Sequence, residues 1–305
     1  MKTIEVQNLS KSYRSGFRRK PTPVLREVSL AVPEGVIFGL MGPNGAGKTT
    51  FIKSLLDIVR PDSGTISLLG KSPDHPMARQ DIGYLPEKIH FVPGTTAFSF
   101  LRGTARLRKL SIRDAQLEHE LKRLGLEGVG PKKVQTFSKG MKQRLGVVAA
   151  LLGQPKLLIL DEPTDGIDPI GRQSIRQIID EENQRGATVF LNSHLLAETE
   201  KICQRVGVLV QGKIVLDVAI EDIRREDNSW EIRFDSVPNQ QALIDIGFKV
   251  LDENALTFTY NHSDTGHLNE ALDQARATGA RLVYLHEHQR DLEQVLMSLV
   301  EDKES

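Results

Sequence analysis

The segment from Gly42 to Thr49, GPNGAGKT, constrains the fold of this chain more than any other feature. It fits the pattern G-x-x-x-x-G-K-[ST], follows the apolar run Val36–Met41 and opens a segment of helical character, Lys48–Val59. In such a unit, glycines allow successive backbone N–H groups to converge on phosphate oxygens at the positive end of a helix. The sequence therefore predicts a phosphate-binding loop between a buried strand and a helix.

Two side chains of this loop have predicted roles in holding a nucleotide. Lys48 is expected to pair with the β- and γ-phosphates, and the Thr49 hydroxyl to bind Mg²⁺. A plain glycine-rich turn is the alternative, and the flanking strand and helix patterns disfavour it. We predict nucleotide contacts along the whole loop and at the residue after it: Gly42, Pro43, Asn44, Gly45, Ala46, Gly47, Lys48, Thr49 and Thr50.

Short apolar runs separated by helical segments indicate the fold class. Besides Val36–Met41, such runs cover Leu157–Leu160, Thr188–Leu191 and Val206–Val210, and none alternates with polar residues. Continuous apolar runs are typical of strands that are buried on both faces, so the pattern predicts a mainly parallel α/β sheet. The charged, largely helical stretch Pro86–Leu152 is interpreted as a helical subdomain inserted into the sheet domain.

The C-terminal part of the chain has a different pattern. Residues 220–228 are polar and charged, and we interpret them as a linker. From residue 229 to 305 the order β-α-β-β-α-β, with a closing helix at Asp291–Val300, predicts a small ferredoxin-like α+β domain. The length of 305 residues agrees with two domains, here 1–220 and 229–305.

Composition excludes several classes of protein. Lys+Arg and Asp+Glu both number 40, so no general attraction to nucleic acid is indicated. The single cysteine, Cys203, excludes a disulfide framework and a cysteine zinc site. No apolar run approaches the 18 or more residues of a spanning helix. We expect a chain that does not itself cross a membrane, so another polypeptide would have to supply any pore.

Two carboxylates follow the apolar run Leu157–Leu160. Asp161 stands where a Mg²⁺ ligand is needed beside a phosphate loop. Glu162, one residue further, faces another way and could polarise an attacking water molecule. The alternative is a turn or helix-capping pair, because Pro163 and Gly166 follow.

The segment Phe137–Met141, FSKGM, followed by KQR, resembles the signature of the ATP-binding cassette (ABC) family. The resemblance covers about residues 1–220 and implies an ABC-type P-loop NTPase core. It departs from the usual Leu-Ser-Gly-Gly-Gln at Lys139 and Met141, in a form similar to the branch of drug, antibiotic and ion exporters. Ser138 is predicted to cap a helix. The resemblance implies that Ser138 and Gly140 close over the γ-phosphate of ATP bound to the opposite subunit.

The resemblance implies roles for four further residues. Tyr13 matches the aromatic residue that stacks on adenine, and His194 matches the histidine that senses the γ-phosphate. Asp168 matches a loop that touches the partner subunit. Glu87 stands where the family commonly has glutamine, and its carboxylate can still hold Mg²⁺ or water.

The expected function is that of an ATP-hydrolysing subunit of a membrane exporter, driven by closure of a homodimer or of paired ATPase subunits. Its expected location is cytoplasmic, on the inner face of the membrane, through an integral permease subunit. The alternatives left open are a soluble ABC ATPase of ribosomes or DNA, and an importer ATPase with a sensing C-terminal domain. The residues Phe91, Phe98 and Phe100 could seat a helix of the permease or pack their own subdomain.

Overall fold

The computed structural model describes residues 2–14, 20–225, 229–251, 256–261, 265–288 and 292. The chain divides into two compact units, one reaching Ala219 and the other beginning at Ile220. The predicted closing helix at Asp291–Val300 lies outside the described residues, except for Leu292.

The first unit contains two sheets. Its strands are β1 (Lys2–Tyr13), β2 (Thr22–Pro33), β3 (Ile37–Met41), β4 (Ser63–Leu68), β5 (Ile82–Leu85), β6 (Leu157–Asp161), β7 (Thr188–Asn192), β8 (Arg205–Val210) and β9 (Lys213–Ala219). The antiparallel sheet has the order β2-β1-β4, and the larger sheet has the order β5-β6-β7-β3-β8-β9. In the larger sheet β5, β6, β7, β3 and β8 run parallel, and β9 pairs antiparallel with β8.

The helices of the first unit pack on these sheets or form the helical segment between β5 and β6. They are α1 (Lys48–Leu55), α2 (Ala97–Leu107), α3 (Asp114–Arg123), α4 (Lys139–Leu151), α5 (Pro169–Gln184) and α6 (Leu196–Ile202). Short 3₁₀ turns lie at Pro76–Arg79 and Val134–Thr136. The mainly parallel α/β core predicted from the apolar runs is confirmed. The helix expected at Lys48–Val59 is shorter, because Asp57 has a left-handed φ of 56°.

One buried cluster joins both sheets of the first unit through α1. Phe38 of β3 stacks on Phe190 of β7 with ring centroids 5.6 Å apart, and Phe51 of α1 lies 6.1 Å from Phe190. Side chains of β1 and β2, such as Leu9 and Leu25, complete the cluster from the antiparallel sheet. The sheets therefore hold α1, and with it the loop that precedes α1, from both sides.

The phenylalanines of the helical segment take part in its own packing. Phe91 and Phe100 meet edge to face with ring centroids 4.9 Å apart. Phe98 lies against Gly130 and beneath the guanidinium of Arg102. All three phenylalanines stay half-buried, so each keeps part of its ring in solvent.

The second unit is a four-stranded antiparallel sheet with helices. Its elements are α7 (Ile220–Arg225), β10 (Ser229–Phe234), α8 (Gln240–Ile246), β11 (Lys249–Val250), β12 (Thr257–Asn261), α9 (Thr265–Ala277) and β13 (Leu282–His288). The order β11-β12-β10-β13 is that of a ferredoxin-like unit, as predicted. The linker predicted for residues 220–228 is wrong over residues 220–225, which form α7 and bury Ile220 and Ile223.

Truncation of Phe190 tests the aromatic cluster of the first unit. We expect Phe190→Ala to lower the free energy of unfolding of this unit by about 3–5 kcal/mol, since it removes a fully buried ring that contacts two others. Leu107→Ala is the control. Leu107 is 88% exposed, so this substitution should change the free energy of unfolding by no more than about 0.5 kcal/mol. Denaturant unfolding followed by circular dichroism measures both variants. Equal unfolding midpoints for Phe190→Ala and Leu107→Ala would contradict the role of Phe190 in the cluster.

Candidate functional site

The register of three parallel strands brings the predicted site residues to one edge of the larger sheet. Leu40 of β3 and Asp161 of β6 both pair with Asn192 of β7. The segments that follow these strands therefore leave the sheet side by side. They are the glycine-rich loop after β3, the carboxylates at the end of β6, and His194 after β7.

Two glycines of the loop have conformations and surroundings that exclude a side chain. Gly42 has a φ of 145°, and a Cβ atom there would overlap the carbonyl oxygen of Leu209. Gly47 caps α1 with a φ of 109°, and a Cβ atom there would lie 2.9 Å from the carbonyl oxygen of Val24. The loop is therefore held between β8 and β2, and its backbone N–H groups can approach a ligand closely.

The loop lines a cavity of about 430 Å³ together with segments after β5, β6 and β7. The lining residues are Val24, Asn44, Gly45, Ala46, Gly47, Lys48, Thr49, Thr50, Glu87, Glu162, Asp165, Asn192 and His194. The cavity thus combines the amides of a helix N-terminus with one ammonium and several carboxylates. That combination suits a phosphate group that carries a cation.

Lys48 is nearly buried at the base of this cavity. Its Nζ donates hydrogen bonds to the carbonyl oxygens of Gly42 at 2.6 Å and Pro43 at 3.1 Å. Burial lowers the pKa of Lys48, and the negative charges of Glu162 and Asp161 act in the opposite direction. These two hydrogen bonds fix the ammonium inside the loop, at the cavity.

The two carboxylates after β6 lie in different surroundings. Asp161 is buried and accepts a hydrogen bond of 2.6 Å from Nδ2 of Asn192. Burial raises the pKa of Asp161, although this hydrogen bond partly opposes the shift. Glu162 leaves 13% of its side chain exposed and lines the cavity, and burial raises its pKa as well.

Glu162 and His194 form a close pair at the cavity. Oε2 of Glu162 lies 2.7 Å from Nδ1 of His194, whose side chain is 53% exposed. The charge of His194 lowers the pKa of Glu162 and so works against the effect of burial. Glu162 has a left-handed φ of 54°, a conformation that non-glycine residues seldom adopt. This backbone turn directs the carboxylate away from the line of β6.

The oxygen atoms of the site fit a hard divalent cation held together with phosphates. The Thr49 hydroxyl and the Glu87 carboxylate line the cavity, and the charge of Glu87 raises the pKa of Asp161. Oδ1 of Asn192 is buried without a hydrogen-bond partner among the described residues. Within those residues no three His, Cys, Asp or Glu side chains form a ready-made metal cluster. These few oxygens suit Mg²⁺, which commonly keeps water and phosphate ligands.

The segment that resembles the family signature opens α4. Oγ of Ser138 accepts a hydrogen bond of 3.2 Å from the Met141 amide, which confirms the predicted cap. Ser138 is exposed, and Gly140 is half-buried beside Gly166. In the described part of this chain, both lie outside the residues that line the cavity.

Five other predicted residues also lie outside the cavity lining of the described chain: Gly42, Pro43, Asp161, Tyr13 and Asp168. Tyr13 at the end of β1 is 43% exposed, and the ammonium of Lys11 lies 5.7 Å from its ring centroid. Asp168 is exposed directly before α5. The positions of Tyr13 and Asp168 leave their side chains accessible for other contacts.

Sequence reasoning missed three residues of this region. Asn192 holds Asp161, and its position opposite Asp161 in the neighbouring parallel strand was a usable signal. Gln143 of α4 donates a hydrogen bond of 2.9 Å to the carbonyl oxygen of Glu162, and Asp165 pairs with Lys139 at 2.7 Å. These contacts of α4 depend on tertiary packing, so the sequence carried no direct signal for them.

The comparison with known proteins adds relatives that share most of this chain. Residues 25–165 match the family described as ABC transporter. The uncharacterized ABC transporter ATP-binding protein all4389 of Nostoc is 39% identical over 75% of this chain and 70% of its own length. The bacitracin transport ATP-binding protein BcrA of Enterococcus faecalis is 37% identical over 74% of this chain and 72% of its own.

Solved structures agree with these relatives. An ATP binding subunit of an ABC transporter is 33% identical to this chain with a TM-score of 0.67, covering 73% of this chain and 92% of its own length. In the described ranges, no helix combines the length and apolar character needed to cross a membrane. With the phosphate loop, the carboxylates after β6 and the capped α4 in place, this chain belongs to the ATP-binding proteins of the ABC transporter family.

Proposed function

We propose that this chain drives an exporter by hydrolysing ATP between two paired subunits. One observation carries the proposal: the Glu162 carboxylate, 2.7 Å from His194, lines the same cavity as Lys48 and Thr49. A candidate base therefore adjoins a loop suited to a triphosphate. Family membership supplies ATP as the nucleotide.

In this proposal the loop residues and Lys48 bind the phosphates, and Tyr13 stacks on the adenine ring. Thr49 and Asp161 would hold Mg²⁺, with Glu87 as a further oxygen ligand. When bound, Mg²⁺ neutralises charge on the phosphates. The hydrogen bond from Asn192 fixes the orientation of the Asp161 carboxylate, which supports this role.

Glu162 acts as the general base of the proposed reaction. It orients a water molecule and accepts its proton as the water oxygen attacks the γ-phosphorus. The bond between the γ-phosphorus and the β,γ-bridging oxygen breaks, and ADP leaves with that oxygen while the γ-phosphate is released as inorganic phosphate. The raised pKa of Glu162 brings its basicity closer to neutral pH, where a general base is most effective. His194 holds the carboxylate by the 2.7 Å contact. In this proposal His194 also contacts the γ-phosphate.

The proposed active site is complete only in a pair of chains. Ser138 and Gly140 lie outside the cavity lining of the described chain, so they would cap ATP bound by the partner. The exposed amides at the start of α4 suit an anion there. Asp168, exposed before α5, would contact the partner subunit. Closure on ATP switches on hydrolysis, and loss of the γ-phosphate releases the pair.

Export is proposed from the named relatives. BcrA of Enterococcus faecalis is a bacitracin transport protein, and SrtF of Streptococcus pyogenes, 37% identical over 70% of this chain, is a lantibiotic transport protein. We propose a cytoplasmic subunit on the inner membrane face, bound to an integral permease. The cassette would comprise residues 1–220, with its helical subdomain at about 86–152, and residues 229–305 an accessory domain.

Replacement of the base tests the proposed hydrolysis. Glu162→Gln should lower kcat by about 10²–10⁴-fold, because an amide cannot accept the proton from water. The loop and Lys48 are unchanged and should still bind the phosphates of ATP. Light scattering should therefore show that ATP converts this variant from a monomer to a stable dimer. Glu127→Gln is the control, since Glu127 lies at the surface in an ion pair with Lys122. Wild-type hydrolysis by Glu162→Gln would contradict the assignment.

The pair of Glu162 and His194 predicts a pH effect. Activity requires the Glu162 carboxylate to be ionised, so kcat falls as the pH drops through its raised pKa. His194→Ala removes a charge that lowers this pKa, so the acid limb of the pH–kcat profile should move to higher pH. Steady-state assays of the residual hydrolysis of His194→Ala across pH measure the shift. An acid limb that stays in place or moves to lower pH would refute the coupling between Glu162 and His194.

Affinity purification from detergent extracts tests the transport role. The tagged Glu162→Gln variant with ATP should retain a multi-span membrane protein, which mass spectrometry identifies. The same variant without ATP is the control for nonspecific capture. Retention of ribosomal proteins in place of a membrane protein would count against export.

A further inference from the structure

One side of α4 holds the loop that carries the candidate base. Lys139 and Gln143 are four residues apart and therefore lie on the same side of the helix. Nζ of Lys139 lies 2.7 Å from Oδ2 of Asp165, and Nε2 of Gln143 donates a 2.9 Å hydrogen bond to the carbonyl oxygen of Glu162. The loop 162–166 is thus bound to α4 at both of its ends.

The shape of the loop allows this contact. Gly166 has a φ of 67°, and a Cβ atom there would lie 2.5 Å from Cδ and Cε of Lys139. The lysine side chain therefore lies across Gly166 on its way to Asp165. The hydrogen bond from Lys139, and to a smaller extent its charge, lowers the pKa of Asp165, which agrees with a formed ion pair.

The two contacts differ in burial and therefore in expected strength. The Lys139 and Asp165 side chains are 67% and 44% exposed, and an ion pair of this kind contributes modestly. Gln143 is buried, with 7% of its surface exposed. Its side-chain amide donates to the carbonyl oxygen of Glu162, the residue with the left-handed backbone. Loss of a buried donor leaves the Glu162 carbonyl without this partner.

We propose that Lys139 and Gln143 are positioning residues that couple the N-terminus of α4 to the orientation of Glu162. The inference rests on the proposed function, in which that N-terminus caps the nucleotide of the other chain. A displacement of α4 on closure then moves loop 162–166 and reaims the carboxylate within the same chain. Within each chain, the contact of α4 with the nucleotide of the other chain is thereby linked to the orientation of the chain's own Glu162.

Lys139 adds a contact that the usual signature residue would lack. It occupies a position where the family signature commonly has glycine, which could form no ion pair. Asp165 also lines the phosphate cavity, so the pair joins the α4 segment to the cavity wall. A direct role of Lys139 as a ligand of nucleotide is the competing explanation, and kinetics separate the two.

A charge-exchange cycle tests the ion pair on the full chain. Lys139→Asp and Asp165→Lys alone should each lower kcat about two- to fivefold relative to wild type, the scale of an exposed pair. The double variant should recover most of the lost kcat. The KM for MgATP should not show this pattern of loss in the single variants and recovery in the double variant. Lys122→Asp, at a similarly exposed lysine paired with Glu127, is the control and should leave kcat unchanged.

Two results would overturn the role of the ion pair. One is a double variant no faster than the slower single variant. The other is a rise in KM with unchanged kcat for Lys139→Asp, which would make Lys139 a ligand of nucleotide. Wild-type hydrolysis by Glu162→Gln would instead defeat the proposed function itself, so the two failures are distinguishable.

Gln143→Met tests the buried contact separately, because methionine has a similar size and no donor. We expect kcat to fall about tenfold with KM unchanged, the scale of one lost buried hydrogen bond. A cooperative thermal melt shows that the variant is folded before its kinetics are measured. A wild-type kcat in folded Gln143→Met would overturn the role of this residue.

Discussion

The pairing of β7 with β3 on one side and β6 on the other is the constraint on which the site depends. Leu40 and Asp161 share Asn192 as their partner, so three strands end level with one another. A shift of register would separate the glycine-rich loop from the carboxylates that must act beside it. The rings of Phe38 of β3 and Phe190 of β7 stack in the core, so hydrophobic packing helps to hold the register of the strands that carry the site.

Electrostatics explains why the site needs both a cation and dense amide groups. Glu87, Glu162 and Asp165 line one cavity together with Lys48. Asp161 is buried nearby, where the charge of Glu87 raises its pKa after the larger effect of burial. Such a site would repel a triphosphate unless backbone N–H groups and a divalent ion offset the negative charge. Burial strengthens charge interactions in the site because it lowers the local dielectric. It also disfavours the ionised carboxylates, and so raises the pKa values of Asp161 and Glu162.

The sequence predicted the central strands because burial on both faces leaves uninterrupted apolar runs such as Leu157–Leu160. It did not predict β1 and β2, where register shifts near Leu9 and Lys11 interrupt the alternation of a half-buried sheet. Side-chain partners were harder still. The contact between Gln143 and Glu162 depends on the direction in which α4 packs, and nothing local to either residue encodes that direction.

Glu162 also holds its backbone at a φ of 54°, which typically costs about 1–3 kcal/mol for a residue with a Cβ atom. Glycine at this position would relax the chain and remove the carboxylate in the same step. Thermal resistance and turnover therefore pull in opposite directions at a single residue. With Glu162 as the proposed base, a screen for heat resistance alone would favour loss of its carboxylate, so directed evolution of this protein calls for selection for turnover as well.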